Sequence, residues 1–362
     1  MTISMSETRH LLEFRVASGK HPAARIAGSY SKPMRRYVNL SLYCREQYRN
    51  HPDRFPMTIV ILAHPDCARH ENPPGHPERP ERLGAIDDRL ITSALNLATR
   101  HEDAPLATRA QLCRVHDPAY VDHVFALSPK QGRVSLDGDT SMSPGTLQAA
   151  LRAAGAAVRA VDLVMAHAVH AVFCNVRPPG HHAERGRAMG FCVFNNVAVG
   201  AAHAMAEYGL ERVAIVDFDV HHGNGTEEIF RDNPSVLLCS TFQHPFYPHC
   251  GADTASDHIV NVPLPAATKG PQYRAAFSER VLPALDTFRP QLVMFSAGFD
   301  AHCEDEMSMF CLREDDYRWL TRAVKAIADR HAEGRMVSCL EGGYALSALG
   351  RSAGAHIDAM LD

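Results

Sequence analysis

Six short apolar runs punctuate the chain, and none of them alternates with polar positions. They fall at 58–63, 171–176, 212–218, 236–240, 291–296 and 335–340. A run such as Val213-Ala214-Ile215-Val216 is apolar at every successive position. Parallel strands covered on both faces read this way, whereas a half-exposed sheet alternates. Helical patterns lie between the runs at 143–166, 192–208 and 313–333, the first alanine-rich and opened by Ser143-Pro144. Strands alternating with helices predict one α/β domain with a mainly parallel central sheet flanked by helices. Ligands of such a sheet bind at the carboxyl ends of its strands. No internal repeat or low-complexity tract interrupts the pattern.

Periodicity is weak over residues 1–56, where ten Lys or Arg face four Asp or Glu. That is a net +6, leaving −10 on the remaining 306 residues. The text changes at Met57, with "MTIVILAHPDC". The expectation is a poorly ordered basic extension over 1–56 and a compact domain over 57–362. An upstream start codon or an organelle transit peptide are the alternative readings of the leader.

Composition narrows the class. At 362 residues, 46% hydrophobic and 22% charged, the chain is ordinarily globular. A net charge of −4 and a pI near 6.6 argue against nucleic-acid or membrane-surface partners. There is no apolar run long enough to span a bilayer and no secretory signal. None of the ten cysteines forms a C-x-x-C pair, so zinc knuckles and redox motifs are excluded, and reduced thiols in a cytoplasm are expected.

The chemistry gathers where apolar runs stop. "VDFDVHHGNGTEEIF" (Val216 to Phe230) puts Asp217, Asp219, His221 and His222 directly after a strand. Burying two carboxylates and two imidazoles is unfavourable unless a cation or a reaction compensates. Other runs end in "RPPGHHA" (Arg177 to Ala183), "AGFDAH" (Ala297 to His302) and "EGGYAL" (Glu341 to Leu346). Each alone reads equally as a buried Asp–His contact or a turn; all four on one sheet edge point to a site.

A strand period of two puts Asp217, Asp219 and His221 on one side. Asp219 and His221 then form a pair of O and N ligands, with Asp300 the obvious third. Two carboxylates, one imidazole and an open position describe one catalytic divalent metal. Zn²⁺ is the default; Fe²⁺ and Co²⁺ suit the same ligands. His181-His182 supply a base: a carboxylate partner such as Asp217 favours an imidazolium, while an amide such as Asn224 carries no charge bias. Gly342-Gly343 lets backbone approach closely and brings Tyr344 in as an oxyanion donor.

Together with "HPDC", "GHPERPERL" (Gly75 to Leu83), "GFCVFNNVAVGA" and "SAGFDAH", these motifs resemble, in order, the histone deacetylase superfamily. Within it the chain is most similar to the bacterial, class II-like branch, the histone deacetylase-like amidohydrolases. The resemblance covers residues 58–362. It implies zinc-assisted removal of acetyl or acyl groups from the ε-amine of acetyl-lysine in proteins or peptides. Asp219, His221 and Asp300 would bind zinc. His182 would be the general base and acid, with His181 its electrostatic partner and Tyr344 the group that binds the carbonyl. Asp217 and Asn224 would support the histidines. A structural K⁺ would sit among Asp217, Asp219, His221 and Ser240. Phe191, Gly190 and Tyr247 would wall the acyl tunnel, Asp139 would hold substrate backbone at its rim, and Arg82 would line the acetate-release pocket.

Three departures from the pattern stand out: His249-Cys250 near Tyr247, the loop after Asp300 without an Asp-Pro-Leu-Gly-like turn, and the basic leader. A close alternative keeps the mechanism but takes an acetylpolyamine or other small acyl-amine, with Glu304-Asp305-Glu306 selecting slim cations; a solvated acidic loop is the plainer reading of that run. A silent acyl-lysine binder is the alternative of another class. A binuclear manganese ureohydrolase would need acids where Gly223, Asn224 and Cys303 stand. Monomer, homodimer and tetramer all remain open.

Overall fold

Each central strand serves two cores at once. Val60, Leu62, Val172, Cys174, Val213 and Ile215 pack into one layer. Their sequence neighbours Ile59, Ile61, Ala171, Phe173, Ala214 and Val216 pack into the other. Both sides of the sheet are therefore dry, which is why these runs carry no polar alternation.

The computed structural model describes residues 59–362; the basic leader and the expected domain start at Met57 lie outside them. Among the described residues the main sheet has eight strands. They are β1 (Ile59–Ala63), β2 (Thr99–Asp103), β5 (Ala171–Cys174), β6 (Val213–Asp217), β7 (Val236–Gln243), β8 (Ile259–Leu264), β9 (Leu292–Ala297) and β10 (Met336–Leu340). Their order is β2-β1-β5-β10-β9-β6-β7-β8, and every pairing is parallel. A small antiparallel ribbon, β3 (Val134–Ser135) and β4 (Ser141–Met142), stands apart. The last strand in sequence, β10, lies between β5 and β9 and joins two part-sheets.

All six predicted strands are present. The two unpredicted members of the main sheet are its edges, β2 and β8. With one neighbour each they tolerate polar residues, as in "TRHED" and "IVNVPL", and so lack the apolar run that betrays a central strand.

Six helices matter for the site: α1 (Glu81–Thr92), α2 (Thr146–Met165), α3 (Asn196–Tyr208), α4 (Asn224–Phe230), α5 (Glu314–His331) and α6 (Leu346–Leu361). The pair α2 and α3 covers one face with small side chains such as Ala153, Ala157 and Ala201. The opposite face carries α1, α5 and α6. The helix expected from residue 192 starts instead at Asn196, because Asn195 is an N-cap whose side chain accepts from Ala198 N.

Candidate active site

The four chemistry-bearing motifs follow β5, β10, β9 and β6, four neighbours at the centre of the sheet. Parallel alignment puts all their carboxyl ends on one edge, so residues far apart in sequence meet there.

Asp219, His221 and Asp300 offer one ligand atom each, all within 4.8 Å of one another and all buried. Asp219 Oδ1 accepts from His221 N at 2.9 Å and lies 3.0 Å from His221 Nδ1. Asp219 Oδ2 accepts from Gly342 N at 2.8 Å. Asp300 Oδ1 accepts from Val220 N at 2.9 Å. Asp300 Oδ2 is buried without a hydrogen bond, although His221 Nδ1 is 3.2 Å away. Burial alone would depress His221, but the adjoining carboxylates of Asp219 and Asp300 carry it up to about 10. Burial and the charge of Asp219 push Asp300 upward. Two carboxylates, one imidazole and an orphaned carboxylate oxygen fit a divalent cation. Gly342 lets the donors gather: a Cβ there would collide with both carboxylates.

Beside the trio, His181 and His182 pack with ring centroids 4.0 Å apart. His181 Nδ1 donates to Asp217 Oδ2 at 2.9 Å. Burial opposes its charge, yet Asp217 and Asp219 lift it to about 10. His182 Nδ1 is 2.8 Å from Asn224 Oδ1. Burial, then repulsion from His181 and His221, hold His182 well below the usual imidazole range. Two adjacent imidazoles thus carry opposite biases, one charged and one neutral.

The turn bearing them is clamped from β10. Glu341 Oε2 accepts from Gly180 N at 2.6 Å and from His181 N at 3.1 Å. The sequence reading gave Glu341 no role; an acid directly after the apolar run 335–340 was the signal for it.

Aromatic rings surround the trio. Phe191 and Tyr344 stand edge to face at 6.2 Å, and Tyr247 is 5.2 Å from His182. Phe246, not singled out from sequence, stacks on His221 at 5.4 Å. Gly190 and Phe191 both have left-handed φ, +56° and +68°. At Gly190 a Cβ would strike the His182 ring, so only glycine fits. Asp139 Oδ1 accepts from Gly190 N at 3.0 Å, and Thr140 Oγ1 from Phe191 N at 3.0 Å; together they brace this turn. Arg82 is fully buried. It donates to Gly343 O at 2.6 Å and to Glu341 O, with its guanidinium 5.0 Å from the Tyr344 ring centre.

Other motif members lie elsewhere. His222 is buried between Ser240 Oγ at 3.1 Å and Glu227 Oε2 at 2.8 Å. Ser240 itself is the register partner of Asp217 across β6 and β7. His302 is buried near Glu314, at 3.6 Å. The acidic run divides: Glu304 pairs with Arg351 at 2.7 Å, Glu306 is exposed, and Asp305 is buried. Asp305 Oδ2 accepts from Tyr344 N at 2.6 Å and Ala345 N at 3.0 Å, fixing the tyrosine's backbone.

The histone deacetylase domain family matches residues 76–360. The chain is 39% identical to the histone deacetylase-like amidohydrolase of Pseudomonas aeruginosa, over 75% of this chain and 73% of that protein. It is 37% identical to the polyamine deacetylase HDAC10 of Mus musculus, over 82% of this chain and 47% of that protein. Its structure matches the crystal structure of the HDA15 HD domain with a TM-score of 0.79 at 36% identity, covering 84% of this chain and 89% of that one.

Proposed function

The chain belongs to the histone deacetylase family of amidohydrolases, and from that premise we propose a zinc-dependent hydrolase of acetyl-lysine in proteins or peptides. The observation that carries this reading is the junction, at one sheet edge, of the Asp219–His221–Asp300 donors with the unlike pair His181–His182.

Asp219, His221 and Asp300 would hold the ion. Zinc bound there supplies Lewis-acid activation of water and of the acyl oxygen. His182, kept unprotonated, takes the proton of the attacking water. Tyr344 donates a hydrogen bond to the acyl oxygen as negative charge builds on it. His181, held as an imidazolium by Asp217, adds positive charge beside the reacting carbon. The C–N bond then breaks, His182 returns its proton to the departing amine, and acetate and amine are released. Phe191, Gly190, Phe246 and Tyr247 would wall the acyl chain's path. Asp139 is assigned to substrate backbone at the rim and Arg82 to the acetate route. A structural potassium ion beside Asp217, Asp219, His221 and Ser240 belongs to the same proposal, supported by the Asp217–Ser240 register pair. A cytoplasmic location is supported by the cysteines, none of which is paired among the described residues.

A second reading, acetylpolyamine hydrolysis, is favoured by similarity to a relative named a polyamine deacetylase. The engagement of Glu304 and Asp305 within the fold counts against a free acidic filter.

The deciding experiment measures kcat/KM of zinc-loaded protein on an acetyl-lysine peptide, acetylputrescine and acetylspermidine, with Tyr344→Phe as control. Preference for the peptide is expected, with Tyr344→Phe lowering kcat/KM about 10²–10³-fold, as for loss of one oxyanion donor. Chelation should abolish turnover and zinc restore it. Polyamine preference would transfer the proposal to the second reading; no turnover on any amide would sink both.

A further inference from the structure

An asparagine side chain has a donor end and an acceptor end, and the end facing a histidine decides which ring nitrogen carries the proton. Asn224 meets His182 Nδ1 through one end at 2.8 Å. Its other end lies 2.8 Å from Glu184 Oε1 and 3.2 Å from Met189 Sδ. Glu184 Oε1 already accepts from Arg187 Nη2, and a thioether has no hydrogen to give, so both meet the amide as acceptors. The end facing them must therefore be the NH₂, which turns the Asn224 oxygen to His182. His182 Nδ1 must then donate, and its lone pair is left on Nε2, the tautomer a general base requires.

Glu184 is itself held on several sides. Arg187 Nη2 contacts its Oε1 at 3.0 Å, and Glu184 N donates to Arg187 O at 2.9 Å. His116 Nδ1 donates to Glu184 O at 2.9 Å, because His116 Nε2 accepts from Asn195 N at 2.9 Å. The carboxylate side chain is 24% exposed, so it is an acceptor fixed by design of the turn and not by deep burial.

We propose that Glu184 is a positioning residue for the reaction: it orients the Asn224 amide and so fixes His182 in its Nδ1–H tautomer. The proposal rests on the deacetylase reading only in making that tautomer the productive one. Without an acceptor at 184 only the thioether of Met189, a weak acceptor, still opposes a turn of the amide. After that turn its NH₂ would face His182 Nδ1 and select the Nε2–H form, which has no lone pair on Nε2.

The test uses the full chain with ¹⁵N-histidine labelling, comparing wild type, Glu184→Leu and Glu184→Gln, with His182→Asn assigning the His182 signals. Long-range ¹H–¹⁵N spectra read the tautomer without any turnover, and melting curves check folding. In Glu184→Leu a mixture of His182 tautomers is expected. Its kcat on the preferred amide should fall about 10–100-fold, as for other outer partners of a site, with KM nearly unchanged. Glu184→Gln, which retains an acceptor oxygen, should keep the Nδ1–H tautomer and most of kcat. An unchanged His182 tautomer in Glu184→Leu overturns the proposal, as does a Glu184→Gln defect equal to that of leucine. Should wild type turn over no amide, the deacetylase reading fails separately, and the tautomer spectra still decide what Glu184 does.

Discussion

Gly342 carries as much of the site's geometry as any ligand. Its N–H holds Asp219 Oδ2, and its missing Cβ is what lets Asp219 and Asp300 share one space. On the zinc reading proposed above, Gly342→Ala is expected to displace both carboxylates and lower zinc affinity about 10–100-fold, read by metal content after dialysis against a weak chelator. Retained stoichiometric zinc would show that the carboxylates adapt to the methyl group. Residues of this kind were partly legible. Asp, His and Tyr at strand ends announce themselves by unfavourable burial, and the structure brings the named ones to one edge. Glu184 was not assigned, because it acts on an amide and leaves no mark of spacing; Glu341 was passed over although it ends an apolar run, and Asp305 was read only within its acidic run, because both act on backbone N–H groups. The acidic run after Asp300 shows the converse: three neighbouring acids looked alike in sequence, yet one is exposed, one is ion-paired and one caps the tyrosine's backbone.

At the scale of elements, α3 is tied to the site through its N-cap residue. Asn195 caps it at Ala198 N and also donates to Ala183 O at 3.2 Å and Thr226 Oγ1 at 3.1 Å. Asn195→Ala removes an N-cap worth about 1 kcal/mol and leaves buried partners unpaired, at about 1–3 kcal/mol more. Denaturant unfolding should therefore show a loss of about 2–4 kcal/mol, and a loss below the cap value alone would mean that water replaces the two extra bonds. Element boundaries explain the rest of what sequence reading missed. Central strands are continuous apolar runs because two layers cover them; edge strands β2 and β8 have no such constraint. The start of α3 was set too early because Cys192 to Phe194 are apolar and buried without being helical.

For the whole molecule, buried neutral histidines set an acid limit. Burial depresses His116 to about 4 and His356 to about 3, against about 6.5 in an unfolded chain. Both are held as neutral rings: His116 Nε2 accepts a backbone N–H, and His356 lies between Thr321 and Ser338. The unfolded chain takes up these protons first, so their contribution is complete above pH about 6.5 and is lost as pH falls. For His116 alone the loss is about 3 kcal/mol by pH about 4. Histidine ring titrations by ¹⁵N NMR should show both rings still neutral at pH about 5, and protonation of either ring near pH about 6.5 would contradict the assignment.

The position of β10 has a consequence for how the enzyme is made. Translation delivers β2-β1-β5 and β9-β6-β7-β8 first, each ending in an unpaired edge that only β10 can bridge. Glu341, Gly342 and Tyr344 follow that strand directly. The ribosome thus supplies the keystone of the sheet and the last part of the candidate site in the same few residues. A nascent chain short of them has neither, so its architecture and its chemistry mature in one event.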